Sequence, residues 1–355
     1  MILDFYILRR FALWLAISVV ALWVIAAIVD LIESIDTFID HAARPGQILR
    51  YYLFRSPYWI VLILPAAGML ATLFSLTGFA HRGEIAAMKA AGVSLQRILV
   101  PVLACALLFS LGAMLFTEYV VPPATFRYNT TRDDIRSYSR SDGSRRQVLL
   151  QDVGGQLVFA RSYDHTRQRA QQVLWERRPA DRTVERATAK RIEWKEKGWV
   201  AVAGTRYTLA GDRFEVSAFD TLTLSTLTLE PGDFSRQQKK PEEMNFAELR
   251  SYVDRARANG EDATRHLVDL HLKIAFPFAC FAIVLVTAPL AANTRRSGRA
   301  ASFGLGVLIC FLLYTCVKAG QALGWNEIIS PWQGAWAANL LFGLMGLVLL
   351  KRAHS

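Results

Sequence analysis

The residues best placed to act on a partner lie in one short stretch, His81-Arg82-Gly83-Glu84-Ile85-Ala86-Ala87-Met88-Lys89-Ala90-Ala91-Gly92-Val93-Ser94, set between two long apolar runs. Its spacing predicts a short helix that ends at Gly92, exposes Glu84 and carries Ile85 and Met88 three apart on one face. Such a segment is either an ordinary interfacial helix or a docking helix for a cytoplasmic partner, and spacing alone leaves both open. Three basic residues, Arg55, Lys273 and Lys318, stand at the ends of apolar runs. Charge there is costly unless it is paired or reaches the membrane interface, so each reads as a snorkelling side chain or as a contact for an anionic headgroup. Enzyme chemistry has little support. Asp164-His165 near Ser162 is the one cluster of interest, and beside a turn it reads as an exposed surface histidine. Cys105, Cys280, Cys310 and Cys316 all sit in apolar runs without metal-ligand spacing, and no Gly-x-x-x-x-Gly-Lys-Ser/Thr pattern occurs.

The elements that must hold these residues are six uncharged apolar stretches, Phe11–Val29, Ser56–Ala80, Ile98–Thr117, Ile274–Thr294, Ala300–Val317 and Ile328–Leu350. Each approaches the roughly 20 residues a helix needs to cross the hydrocarbon core. They are apolar on every side, unlike the striped helices of soluble cores, so they predict membrane spans. Arg9 and Arg10 precede the first run, but acidic residues rather than a small-residue cleavage site follow it, so it reads as an uncleaved span. Lys and Arg concentrate in both tails (Arg9, Arg10, Lys351, Arg352) and in the connections around Arg82–Arg97 and Arg295–Arg299. The positive-inside bias therefore places both termini and those two connections in the cytoplasm, and the long polar segment between spans 3 and 4 outside it.

That segment reads as all-β from about Gln147 to Phe234. Val148-Leu149-Leu150 precedes Gly154-Gly155 and Leu157-Val158-Phe159-Ala160, and Ile192-Glu193-Trp194 turns at Lys197-Gly198 into Trp199–Val202. Thr221–Leu224 through Thr226–Leu229 continues the period of two and predicts a strand with leucines on one face and threonines on the other. Its arginines alternate with Asp and Glu, a solvated face rather than a nucleic-acid surface. Phe246–Ala258 then has helical spacing, with Asn245 as N-cap and Asn259-Gly260 as stop.

Taken in order, several segments resemble the LptF/LptG permeases of lipopolysaccharide export, also called the YjgP/YjgQ family. These are Leu3-Asp4-Phe5-Tyr6-Ile7-Leu8-Arg9-Arg10-Phe11, Leu64-Pro65-Ala66-Ala67-Gly68-Met69-Leu70-Ala71-Thr72-Leu73 and the Glu84-to-Ser94 loop. Later come Phe246-Ala247-Glu248-Leu249-Arg250-Ser251-Tyr252, His271-Leu272-Lys273-Ile274-Ala275-Phe276-Pro277-Phe278, and Pro331-Trp332 with Ala335-Trp336-Ala337-Ala338-Asn339. The Leu-Asp start, the Asp30–Asp36 acidic segment and Arg296-Ser297-Gly298-Arg299-Ala300 lean toward the LptG branch, with an LptF-type paralogue as the alternative.

The resemblance implies a multi-pass protein of the bacterial inner membrane: six transmembrane helices with a jelly-roll-like periplasmic β-domain between helices 3 and 4. Residues 1–120 would hold spans 1–3 and a coupling helix at about 82–92, residues 121–245 the β-domain, and residues 246–355 a connecting helix and spans 4–6. The chain would be a permease subunit without its own ATP site, partnered by LptF, an LptB ATPase dimer and LptC, and handling lipopolysaccharide but no nucleic acid. It would bind no cofactor, ATP and magnesium belonging to the ATPase. Glu84, Ile85 and Met88 would then dock into that ATPase, and Lys318, Lys273 and Arg55 would be candidates for lipid contact. Family members that carry lysines at the outer end of span 1 contrast with Asp30, Glu33, Asp36 and Asp40 here, which would repel phosphates and are not taken as lipid ligands. Three other classes remain: a four-span permease, which would need its insertion after span 1, a membrane-anchored periplasmic interaction protein, and a membrane-anchored periplasmic enzyme.

Overall fold

The computed structural model describes residues 2–137, 144–152, 156–164, 167–177, 185–195, 198–210, 213–235, 239–258, 262–292 and 299–352. In chain order the elements are α1 (Ile2–Asp40), α2 (Pro45–Thr72), a π-helical turn (Leu73–Thr77), α3 (Gly78–His81), α4 (Glu84–Ala90), α5 (Leu95–Tyr119) and α6 (Val121–Ser137). Six strands follow: β1 (Ser144–Asp152), β2 (Gln156–Asp164), β3 (Arg169–Arg177), β4 (Glu185–Lys195), β5 (Gly198–Ala210) and β6 (Arg213–Thr223). The chain ends in α7 (Pro231–Ser235), a 3₁₀ turn at Pro241–Glu243, α8 (Phe246–Ala258), α9 (Thr264–Ala292), α10 (Arg299–Trp325) and α11 (Pro331–Arg352). Contacts divide it into two units, residues 139–238 and the remainder.

Among the described residues the helical unit contains six helices long and apolar enough to cross a membrane. α1 is longer than its apolar run. At 1.5 Å per residue its 39 residues extend about 58 Å, well beyond the hydrocarbon core. The acidic segment that follows the first apolar run is therefore its last turns, with Phe38 buried against Tyr51 of α2 and Tyr128 of α6. α2 and α9 form the interior of the bundle. Prolines weaken their backbone ladders, and neighbouring helices donate close by: the Tyr314 hydroxyl to the Leu62 carbonyl (2.6 Å) near Pro65, and the Asn339 amide to the Ala275 carbonyl (2.6 Å) near Pro277.

α6 lies within the stretch expected to open the β-domain, yet it belongs to the helical unit. Its Asn129 amide donates to Glu243, a fully buried carboxylate that also accepts from the Lys240 backbone N–H. Local signals hold well in this unit. Asn245 and Glu248 cap α8 reciprocally, Glu248 N–H to Asn245 Oδ1 at 2.8 Å and Asn245 N–H to Glu248 Oε2 at 3.0 Å. The expected stop at Asn259-Gly260 lies outside the described residues.

The second unit is one antiparallel meander in which every strand pairs with its neighbours in sequence, β1 through β6. One face carries Val158, Ala160, Val173, Trp175, Ile192 and Trp199. The predicted long final strand is cut short: β6 ends at Thr223, Leu224 keeps one backbone bond to Trp199 O of β5 (2.9 Å), and Leu224, Leu227 and Leu229 turn inward. The reason is side-chain competition for the backbone. The Asp152 carboxylate takes both the N–H and the hydroxyl of Thr228, the Gln156 amide donates to the Thr226 carbonyl, and the Trp199 indole donates to the Leu229 carbonyl. Buried Glu193 collects Arg169, Arg191 and Lys195 at 2.8–3.5 Å, which accounts for part of the arginine content.

Candidate functional site

The α2–α5 connection folds as the spacing predicts. Gly83 opens α4 at φ +75°, and Gly92 closes it at φ +82° with Val93 N–H bonded to Met88 O and Gly92 N–H to Lys89 O, the two bonds of a glycine-terminated helix. Ile85 is buried in the helical core, and Met88, half-buried, packs against that core, so both anchor α4 to the bundle. The exposed face is Ala87, Lys89 and Ala90. Glu84 is half-buried, accepting from the Arg82 guanidinium at 2.5 Å and the Tyr6 hydroxyl at 3.2 Å. The hydrogen bond to the carboxylate raises the Arg82 pKa above its ordinary value. Beside it Arg97 pairs with Asp4 at 2.9 Å, so the first turns of α1 are tied to both ends of the connection. Tyr6 and Asp4 had no local signal: an aromatic and a carboxylate near a chain start become partners only through contacts some 80 or 90 residues away.

The three basic residues separate on inspection. Arg55 is enclosed by aromatic rings, its guanidinium carbon 4.5 Å from the Tyr128 ring centre, 5.0 Å from Tyr58 and 5.9 Å from Trp59. These cation–π contacts hold α6 to α2. The Lys273 ammonium donates to the Met244 carbonyl at 2.7 Å and so fixes the segment entering α8. Lys318 is exposed, bonded to Gln321 Oε1 at 3.0 Å, and Gln321 in turn donates to Asp269 of α9, which also accepts from the Trp325 indole. The structure does not bring the three together. Among the described residues no His, Cys, Asp and Glu group could hold a metal ion. His165 lies outside the described residues, as does the Arg295–Arg296 connection.

A sequence model of the family described as lipopolysaccharide export system permease LptF/LptG matches residues 5–352. The chain belongs to the LptF/LptG family. Among curated proteins, the lipopolysaccharide export system permease protein LptG of Escherichia coli strain K12 is 22% identical over 333 residues, covering 90% of this chain and 92% of the relative. The LptG of Escherichia coli O6:H1 strain CFT073 matches with the same figures. The match spans all six apolar helices and the β-sheet that follows the third. This LptF/LptG chain is therefore a permease-family subunit and a multi-pass inner-membrane protein, consistent with a component of lipopolysaccharide export.

Proposed function

We propose that this permease is an LptG-type subunit that extracts lipopolysaccharide from the inner membrane together with an LptF-type permease, an LptB ATPase dimer and LptC, passing the lipid to a periplasmic β-bridge. The observation that carries the reading is the family match along nearly the whole chain, which takes in the six apolar helices and the sheet between the third and fourth in sequence. The charge bias of the connections supports cytoplasmic termini and a cytoplasmic α4. ATP and magnesium would sit on the ATPase, with Glu84 and the exposed Ala87–Lys89–Ala90 face as the docking surface. Of the lipid-contact candidates Lys318 is favoured, because its charge is exposed while Arg55 and Lys273 serve internal contacts.

The test is gentle extraction followed by co-purification, with photocrosslinking from position 318 to lipopolysaccharide. Recovery with a second permease and an ATPase, a crosslink from position 318, and export that falls in Lys318→Glu more than in Lys318→Arg are the expected results. Recovery as a monomer would overturn the exporter reading. No crosslink from position 318, together with normal export in Lys318→Ala and Lys318→Glu, would leave a snorkelling lysine.

A further inference from the structure

The second span holds a feature that the permease reading does not use. Its α-helical ladder slips at Leu73–Thr77 into a π turn and resumes in α3. A π turn of this length accommodates one extra residue inside an otherwise α-helical rod. Two hydroxyls support the slip where water is absent: Thr72 donates to the Gly68 carbonyl (2.7 Å) and Ser75 to the Ala71 carbonyl (2.6 Å).

Four of the five residues, Leu73, Ser75, Leu76 and Thr77, face the interior, and Phe74 faces outward at 42% exposure. Its ring meets Trp14 of α1 at 5.0 Å and Phe303 of α10 at 6.5 Å in a stacked arrangement. Leu73 lies under Gly306 of α10, where even a methyl group would fall 2.4 Å from Leu73 Cδ1. The turn therefore touches both α1 and α10, which are much less embedded in the bundle than α2 and α9. On its other side it runs directly into the cytoplasmic connection. Phe79 of α3 packs on Tyr6 of α1 at 5.5 Å, Arg82 lies 5.5 Å over Phe79, and Tyr6 bonds Glu84 at the start of α4.

A slip of one residue is a discrete state. Expelling it restores a continuous α-helix and swings a side chain at the slip by about 100° around the axis. We propose that Leu73–Thr77 is a movable joint and Phe74 a positioning residue, tying the separation of α1 and α10 to the displacement of α3 and α4. The proposal rests on the reading that a cytoplasmic ATPase acts on α4.

The experiment uses the whole complex in lipid nanodiscs, in a background lacking the native cysteines. Spin labels at Leu13 and Leu305, both exposed, report the α1–α10 distance with and without ATP and vanadate. The wild-type distance shifts with nucleotide. Deleting Ser75, which makes the helix continuous with both flanks in register, and Phe74→Ala each retain ATP hydrolysis and lose the shift, and Phe74→Tyr keeps it. Should the deletion fail to assemble, Phe74→Ala decides. A shift of wild-type size in Phe74→Ala overturns the inference. So does a wild-type complex that binds and hydrolyses ATP with no shift, whereas a chain that never recruits an ATPase sinks the functional reading itself.

Discussion

α1 and α9 are both apolar enough to span a membrane, yet 11% of the apolar stretch of α1 is buried inside the protein against 72% of that of α9. α9 touches α2, α5, α10 and α11, with Ile283, Val284 and Val286 fully enclosed. α1 shows Ile17, Val20, Ile25, Ile28 and Ile32 to its surroundings. The difference teaches that apolarity assigns a helix to the membrane without assigning it to the core. Lipid tails are as apolar as leucine, so close packing of small residues, not hydrophobicity, decides which spans are held together. Gly68 against Cys280 and Gly346 against Leu285 are such contacts on α9.

The largest effect should come from disrupting one of those contacts. A Cβ at Gly346 would lie 2.9 Å from the Leu285 carbonyl carbon, which cannot move aside, whereas Gly343 on the same helix has open space around it. Gly346→Leu is expected to prevent recovery of folded protein, and Gly343→Leu to leave recovery near wild type, both read by size-exclusion chromatography in detergent. Equal recoveries would break the comparison. Next, Ile283→Ala should cost about 2–5 kcal/mol, as large-to-small changes at enclosed positions do. Ile25→Ala on α1 should stay within about 0.5 kcal/mol. Denaturant titrations in mixed micelles give both values, and similar costs would mean that α1 is embedded after all.

An effect of similar size, on binding rather than on stability, is expected at the foot of α1. Glu84→Lys reverses the partner of Arg82 and Tyr6, and in the assembled complex it would also confront the ATPase. Losing one member of a desolvated interface pair costs about 2–5 kcal/mol of binding. The variant should therefore insert and fold normally while its ATPase co-purification falls at least tenfold. Wild-type recruitment would remove Glu84 from the docking surface.

The smallest effect lies on the approach to α9. Glu248 accepts from Lys239 and from the Asn245 backbone N–H, and these bonds hold its carboxyl below the usual carboxylate range. A depressed folded pKa stabilises at neutral pH, and that stabilisation is lost as pH falls through the depressed value. Protection of α8 amides in hydrogen exchange should therefore weaken on acidification below the ordinary Glu range, and Glu248→Gln should remove that dependence. An unchanged acid profile in the variant would assign the loss to another group.

Much of the architecture was legible because its causes are local. Hydropathy over about 20 residues marks a span, Asn245 and Glu248 three apart make a cap, and Gly92 supplies the left-handed residue that ends α4. The β alternation was legible up to Thr223 and failed beyond it, because Asp152, Gln156 and Trp199 reach across from earlier strands to take the backbone and side chains of Thr226–Leu229. The same limit applied to the candidate sites. Ile85 and Met88 share a face, as their spacing requires, but nothing local says whether that face meets a partner or the protein's own core.

The sequence by itself determined six spans, an inserted all-β unit and the family, since each depends on composition, period and order along the chain. The tertiary structure alone decided that Arg55 sits among rings from α2 and α6, that Lys273 is bound to a carbonyl while Lys318 stays exposed, and that the second span slips at Phe74 between Trp14 and Phe303. The physical reason is separation. Many of those contacts join residues tens to hundreds of positions apart, and a side chain's role there is set by which neighbour the packing brings to it, not by its own type.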